Sequence, residues 1–78
     1  MSLENSQRCI ADRTRDLLRR NRVTQKVLAT ECDMAPQALS NKLRGSKRFT
    51  LQDVSRIADC FDVTTDYLLG RDSEEAVK

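Results

Sequence analysis

The chain has no histidine and no tryptophan, and its only aromatic residues are Phe49, Phe61 and Tyr67. Without histidine there is no imidazole to act as a base near neutral pH or to bind zinc. The cysteines, Cys9, Cys32 and Cys60, form no CxxC pair, so a thiolate zinc site also lacks its usual spacing. Their odd number and wide spacing fit reduced thiols used as small core residues; a redox-sensing thiol is the alternative. No apolar run approaches the roughly 18 residues a membrane span needs, and the N-terminus has no apolar stretch of signal-peptide type. The chain has two glycines and one proline, and no glycine-rich phosphate loop. Asp12/Asp16 and Glu74/Glu75 read as solvated charges rather than acid/base pairs. No set of nucleophile, base and oxyanion donor can be assembled. The expectation is a protein that is not an enzyme and needs no metal or cofactor.

What is present is 78 residues, enough for one domain and one core. With few aromatics, that core is built from Leu, Ile, Val, Met and Ala, which suits short packed helices. The charge is unevenly placed. Residues 1–48 hold 11 Lys/Arg against 5 Asp/Glu, whereas residues 49–78 hold 3 against 7. A basic half beside an acidic half suits a polyanion on one side, although a merely solvated surface would also account for it.

Helical periodicity recurs along the chain, and no segment reads as a strand. From about Ser6 to Arg20, Cys9 or Ile10, Thr14, Leu17 and Leu18 form an apolar stripe. Arg8, Arg13, Arg15, Arg19 and Arg20 crowd the other face. Thr24 caps a second helix, Gln25 to Glu31, whose inward face is Leu28, Ala29 and Cys32. Asp33 tolerates the left-handed backbone of a tight turn, and Met34 plugs the corner. Pro36 suits the first position of a third helix that ends at Gly45, while Ala35 offers no capping oxygen. Thr50 and Asp53 resemble a capping box opening a fourth helix, Leu51 to Phe61. Its apolar side is expected to carry Leu51, Val54, Ile57, Ala58 and Phe61. Thr64 caps a fifth helix, Thr65 to Leu69, closed by Gly70. The expected architecture is an all-α, compact five-helix domain over residues 1–70, with a polar tail over 71–78.

The third helix has two unlike faces. At about 100° per residue, Leu39 and Leu43 fall about 200° and 240° from Gln37. Ser40, Asn41 and Arg44 cluster around Gln37 on the opposite side. A planar amide can bond adenine N6 and N7 together, and a guanidinium can bond guanine or a phosphate. An ordinary amphipathic helix shows a similar solvated face. The preceding helix and turn have the lengths of a helix-turn-helix, however. Gln25 stands where it can bond a phosphate, and Lys47 and Arg48 follow the helix where they can hold the backbone beyond it.

The stretch from about Arg13 to Arg71 resembles the whole five-helix domain of lambda-repressor-like (Cro/C1-type, XRE-type) regulators. The matching residues are Thr24-Gln25, Ala29, Ser40, Gly45, and the block Leu51, Ile57-Ala58, Val63-Thr64 and Tyr67-Leu68-Leu69-Gly70. The run Ser40-Asn41-Lys42-Leu43-Arg44-Gly45 is similar to a phage-like subgroup. The resemblance implies a cytoplasmic, bacterial or phage-encoded repressor of transcription that binds double-stranded DNA. It implies base reading by Gln37 and Asn41, a phosphate clamp at Gln25, and close helix contact at Ala29. Asp33, Ala35 and Pro36 depart from the family's usual Gly, Ser/Thr and Gln. Pro36 has no polar group to offer, so base reading shifts to Gln37, Ser40, Asn41 and Arg44. The candidate phosphate contacts are Thr24, Gln25, Lys42, Lys47 and Arg48. A homodimer would form through residues 61–78, with Leu68 and Leu69 at the contact, and would read two half-sites of a palindromic operator. The alternative is an antitoxin-like or adaptor module whose acidic fourth and fifth helices bind a protein partner.

Overall fold

The computed structural model describes residues 3–71, and the side chains of residues 6–71. Five helices follow in order: α1 (Leu3–Asn21), α2 (Gln25–Glu31), α3 (Pro36–Arg44), α4 (Leu51–Phe61) and α5 (Thr65–Leu69). No strand occurs among the described residues, so the fold is all-α. α1 starts at Leu3 rather than near Ser6, because no proline or glycine stops the helix from extending upstream. Of the expected polar tail, all but Arg71 lies outside the described residues.

Side-chain oxygens open three of the helices. Thr24, Thr50 and Thr64 accept the backbone N–H of Val27, Asp53 and Tyr67, each satisfying a donor the helix cannot pair internally. At α4 the box is complete, since Asp53 returns a bond to the Thr50 N–H at 2.9 Å. α3 opens on Ala35 without a side-chain cap and relies on Pro36, whose missing N–H removes one orphan donor.

All five helices also stop in the same way. The residue after each last turn is left-handed: Arg22, Asp33, Gly45, Asp62 and Gly70. The next N–H then reaches back five residues, as in Val23 to Leu18 O, Met34 to Ala29 O and Val63 to Ala58 O. This Schellman closure satisfies orphan carbonyls and tucks an apolar side chain under the helix end. Val23, Met34 and Val63 are the tucked residues, and each packs on the core. At Gly45 a Cβ would meet no atom within 4 Å, so its φ of 89° alone calls for glycine.

The core gathers Ile10, Leu17, Leu28, Leu39, Ile57 and Leu68, all close to fully buried. α1 packs on α3, α4 and α5, while α2 packs on α3 and α4. Three expectations fail here. Leu51 is 85% exposed, because it stands at the edge of the α4 stripe, while Phe49, just before the helix, is buried in the core. Leu68 is wholly buried in the core, so it cannot serve as a dimer contact; Leu69 is half-buried and packs against the same cluster. Cys32 is buried, but Cys9 is only half-buried and Cys60 is exposed, so one thiol rather than three belongs to the core.

Thr14 lies in this apolar interior with no exposure, and its Oγ1 has no hydrogen-bond partner. An unpaired buried hydroxyl costs free energy that an isosteric methyl would not. Thr14→Val should stabilise the domain by about 1 kcal/mol. In a thermal melt that corresponds to a rise of about 4–8 °C for a domain of this size. An unchanged or lower melting temperature would show that the hydroxyl is satisfied.

Candidate nucleic-acid interface

Ala29 and Leu39 are both fully buried where α2 meets α3. The small Ala29 side chain lets the helices approach closely. Between them, Asp33 takes the left-handed turn at φ 58°. α4 braces this corner from behind. Arg56 Nη1 donates to the Cys32 carbonyl at 2.8 Å, which pairs a carbonyl at the end of α2 that the helix leaves open.

A second brace ties α3 itself to α4. Lys42 Nζ pairs with Asp53 Oδ2. Their side chains are only 17% and 10% exposed. Burial pushes the Asp53 carboxyl up, but the Lys42 ammonium and the Thr50 N–H and hydroxyl outweigh it and hold the carboxyl below its ordinary range. Lys42 was expected at a DNA phosphate. Its ammonium instead ties α3 to α4.

With Leu39 and Leu43 buried, the opposite side of α3 turns outward. Gln37 and Arg44 are exposed, and Ser40 and Asn41 are partly so. Those four side chains therefore share one face of α3, and it is ordered by its own hydrogen bonds. Gln37 Nε2 donates to Asn41 Oδ1 at 3.0 Å, and Arg44 Nη2 donates to the same oxygen at 2.6 Å. The Asn41 carbonyl thus accepts twice, which leaves the Nδ2 hydrogens as the donors Asn41 has to offer. Gln37 keeps a free carbonyl oxygen and one N–H. Arg44 keeps its remaining guanidinium hydrogens. The exposed array reads, in donor and acceptor terms, as an acceptor with a donor, then donors alone.

On one side of this face stand Thr24 and Gln25, both exposed. Thr24 Oγ1 accepts from Val27 N at 3.1 Å, which leaves its hydroxyl hydrogen free to donate outward. On the other side are Lys47 and Arg48, also exposed. Their loop is pinned by a residue that spacing alone did not single out. Gln7 of α1 donates from Nε2 to Phe49 O at 3.1 Å and accepts Phe49 N at Oε1 at 2.7 Å. That two-point grip spans 42 positions in the chain, so no local pattern could have shown it. Arg56 and Asp53 were equally hidden as braces. The only advance sign was a charged residue lying near an otherwise apolar helix face.

The thiols lie apart from this surface. Burial, then the nearby Cys60 and Asp53, push the Cys32 thiol up to about 11, and Cys60 is raised as well. Neither is poised as a thiolate. Among the described residues no acidic or sulfur ligands are grouped to hold a metal ion, and no helix is long and apolar enough to cross a membrane.

Residues 5–78 match the BetR domain. No curated protein and no solved structure matches the chain. The match takes in most of α1 and all of α2 to α5. The chain belongs to the BetR domain family, small helix-turn-helix-like DNA-binding domains found in transcription-related proteins.

Proposed function

We propose that the protein is a sequence-specific regulator of transcription, of the Cro/C1-type repressor kind, which lays α3 in the DNA major groove. It acts in the bacterial cytoplasm as a binding module rather than a catalyst. The observation that carries this reading is the Gln37–Asn41–Arg44 array. Three side chains on one face are held by mutual hydrogen bonds that leave the Asn41 amide hydrogens, the Gln37 carbonyl and part of the Arg44 guanidinium unused. Preordered side chains lose less entropy on meeting base edges. Gln37 can pair with adenine, and Arg44 with guanine. Asn41 donates to guanine N7 or O6, or to thymine O4. Ser40 supplements them.

Thr24 and Gln25 on one flank, and Lys47 and Arg48 on the other, bond phosphates and set the register. Lys42 is left out of this set because its charge is committed to Asp53. A chain this small contacts few base pairs, so the reading includes a homodimer on a two-fold operator. Phe61 and Leu69, both half-buried, replace Leu68 at the contact. Two half-sites would then be about one helical turn apart, roughly 34 Å.

The test is selection of bound duplexes from a random library, with the mass of the complex measured by sedimentation. The expected result is one enriched inverted repeat, bound by two chains. An enriched site without two-fold symmetry would remove the dimer. No enrichment of any sequence would remove the reading as a whole.

A further inference from the structure

Beside the reading face, a concave cleft of about 540 Å³ opens between α1 and the end of α3 with its following loop. Its floor includes Ala11 and Leu43, both buried. Its walls carry Arg8 and Arg15 from α1, and Arg44, Lys47 and Arg48 from the other side. Asp12 is the carboxylate among them, and Lys42 is already neutralised by Asp53. None of Arg8, Arg15, Lys47 and Arg48 is held in an ion pair among the described residues. By contrast, Arg19 and Arg20 on the same helix both pair with Asp16. Among the described residues, five cations therefore converge on a recess with one opposing charge. A low-dielectric floor under such a cluster concentrates its positive potential.

A pocket for a small organic ligand would be mostly apolar, with a few polar groups to orient its guest. This cleft is instead rich in charged side chains, which fits a polyanion. It is also continuous with the reading face, since Arg44 belongs to both. The Gln7 grip on Phe49 holds the Lys47–Arg48 wall against α1.

We propose that this cleft is a second phosphodiester-binding site, in which Arg8 and Arg15 of α1 seat the DNA backbone beyond the bases that α3 reads. The assignment rests on the proposed function, and it extends the footprint past the helix-turn-helix. Each phosphate neutralised adds about 0.9 to the slope of log affinity against log salt. Arg8 and Arg15 together should contribute about 1.8.

The experiment compares the full chain with Arg8→Gln/Arg15→Gln and with Lys47→Gln/Arg48→Gln. Each binds the selected duplex across a salt series, once with long flanks and once trimmed to the half-sites. Arg8 and Arg15 are exposed, and unchanged melting of the variants confirms that they fold. The expected result for Arg8→Gln/Arg15→Gln is a slope shallower by about 1.8 on the long duplex, no difference on the trimmed one, and the same preferred sequence. If its slope equals the parent's while Lys47→Gln/Arg48→Gln lowers it, the regulator reading stands and the cleft assignment is overturned. If the parent itself shows no salt-dependent duplex binding, both fall. A titration with inorganic pyrophosphate separates a free anion from the backbone. Binding that requires Arg8 and Arg15, together with an unchanged duplex slope, assigns the cleft to a free polyphosphate and overturns the proposal.

Discussion

Asp53→Ala should destabilise the domain by about 3 kcal/mol, because one carboxylate serves two structures. It completes the Thr50 capping box of α4 and neutralises the half-buried Lys42 of α3. Its removal leaves the Thr50 N–H unpaired and strands an ammonium that is only 17% exposed. A domain of this size has a total stability on the order of 4–12 kcal/mol, so the loss is a large share of the whole. Urea denaturation measures it as a fall in midpoint at unchanged slope. Asp53→Asn keeps an acceptor for the cap and loses only the charge, so it should fall between the parent and Asp53→Ala. A loss below about 1 kcal/mol for Asp53→Ala would show that the pair is no stronger than an exposed one.

The same group sets an acid dependence. The folded carboxyl is held below its ordinary range. Its stabilisation is therefore complete above the unfolded value near 4 and is lost as pH falls through the lower folded value. Stability should decline on acidification below about pH 4 in the parent. Asp53→Asn should decline less, because its group does not titrate. Asp16, whose desolvation is outweighed by Arg20 and Arg19 so that it too is held low, contributes in the same direction in both proteins. The informative quantity is therefore the difference between the two curves.

What could be read in the sequence follows from the range of the forces involved. Caps and stops act within one helical turn, so Thr24, Pro36, Gly45, Thr50 and Thr64 could be placed from their neighbours alone. The two faces of α3 were equally accessible, since a wheel needs only the helical repeat. Burial at the helix ends was harder. Leu51 and Leu68 have the same side-chain type, yet one is 85% exposed and the other fully buried. The difference comes from their positions: Leu51 stands at the edge of the α4 stripe, whereas Leu68 belongs to the core cluster. Polar braces were out of reach altogether. Gln7 finds Phe49, Arg13 stacks on the Tyr67 ring and donates to its carbonyl, and Arg56 finds Cys32. Each joins segments at least 24 positions apart. Arg13 and Lys42 therefore looked like free surface cations although both are structural.

That redistribution of charge sharpens where the recognition energy resides. Asn41→Ala should weaken binding to the selected operator by about 2–3 kcal/mol, or roughly 30- to 150-fold. Asn41 Oδ1 is the shared acceptor for Gln37 and Arg44. Alanine removes Asn41's own donors and also releases both neighbours from their set orientation. Discrimination should therefore relax at adjacent base pairs, not at one. Gln37→Ala removes a single reader and should cost about 1–2 kcal/mol at one position. Both residues lie on the solvent side of α3, so neither change should alter thermal stability. Affinity for random duplex should also stay near the parent's, because phosphate contacts dominate there. Titration against the operator and its single-base variants measures all of this together. An equal loss on operator and random duplex would make Asn41 a phosphate contact. A loss confined to one base pair would show that Gln37 and Arg44 hold their positions without it.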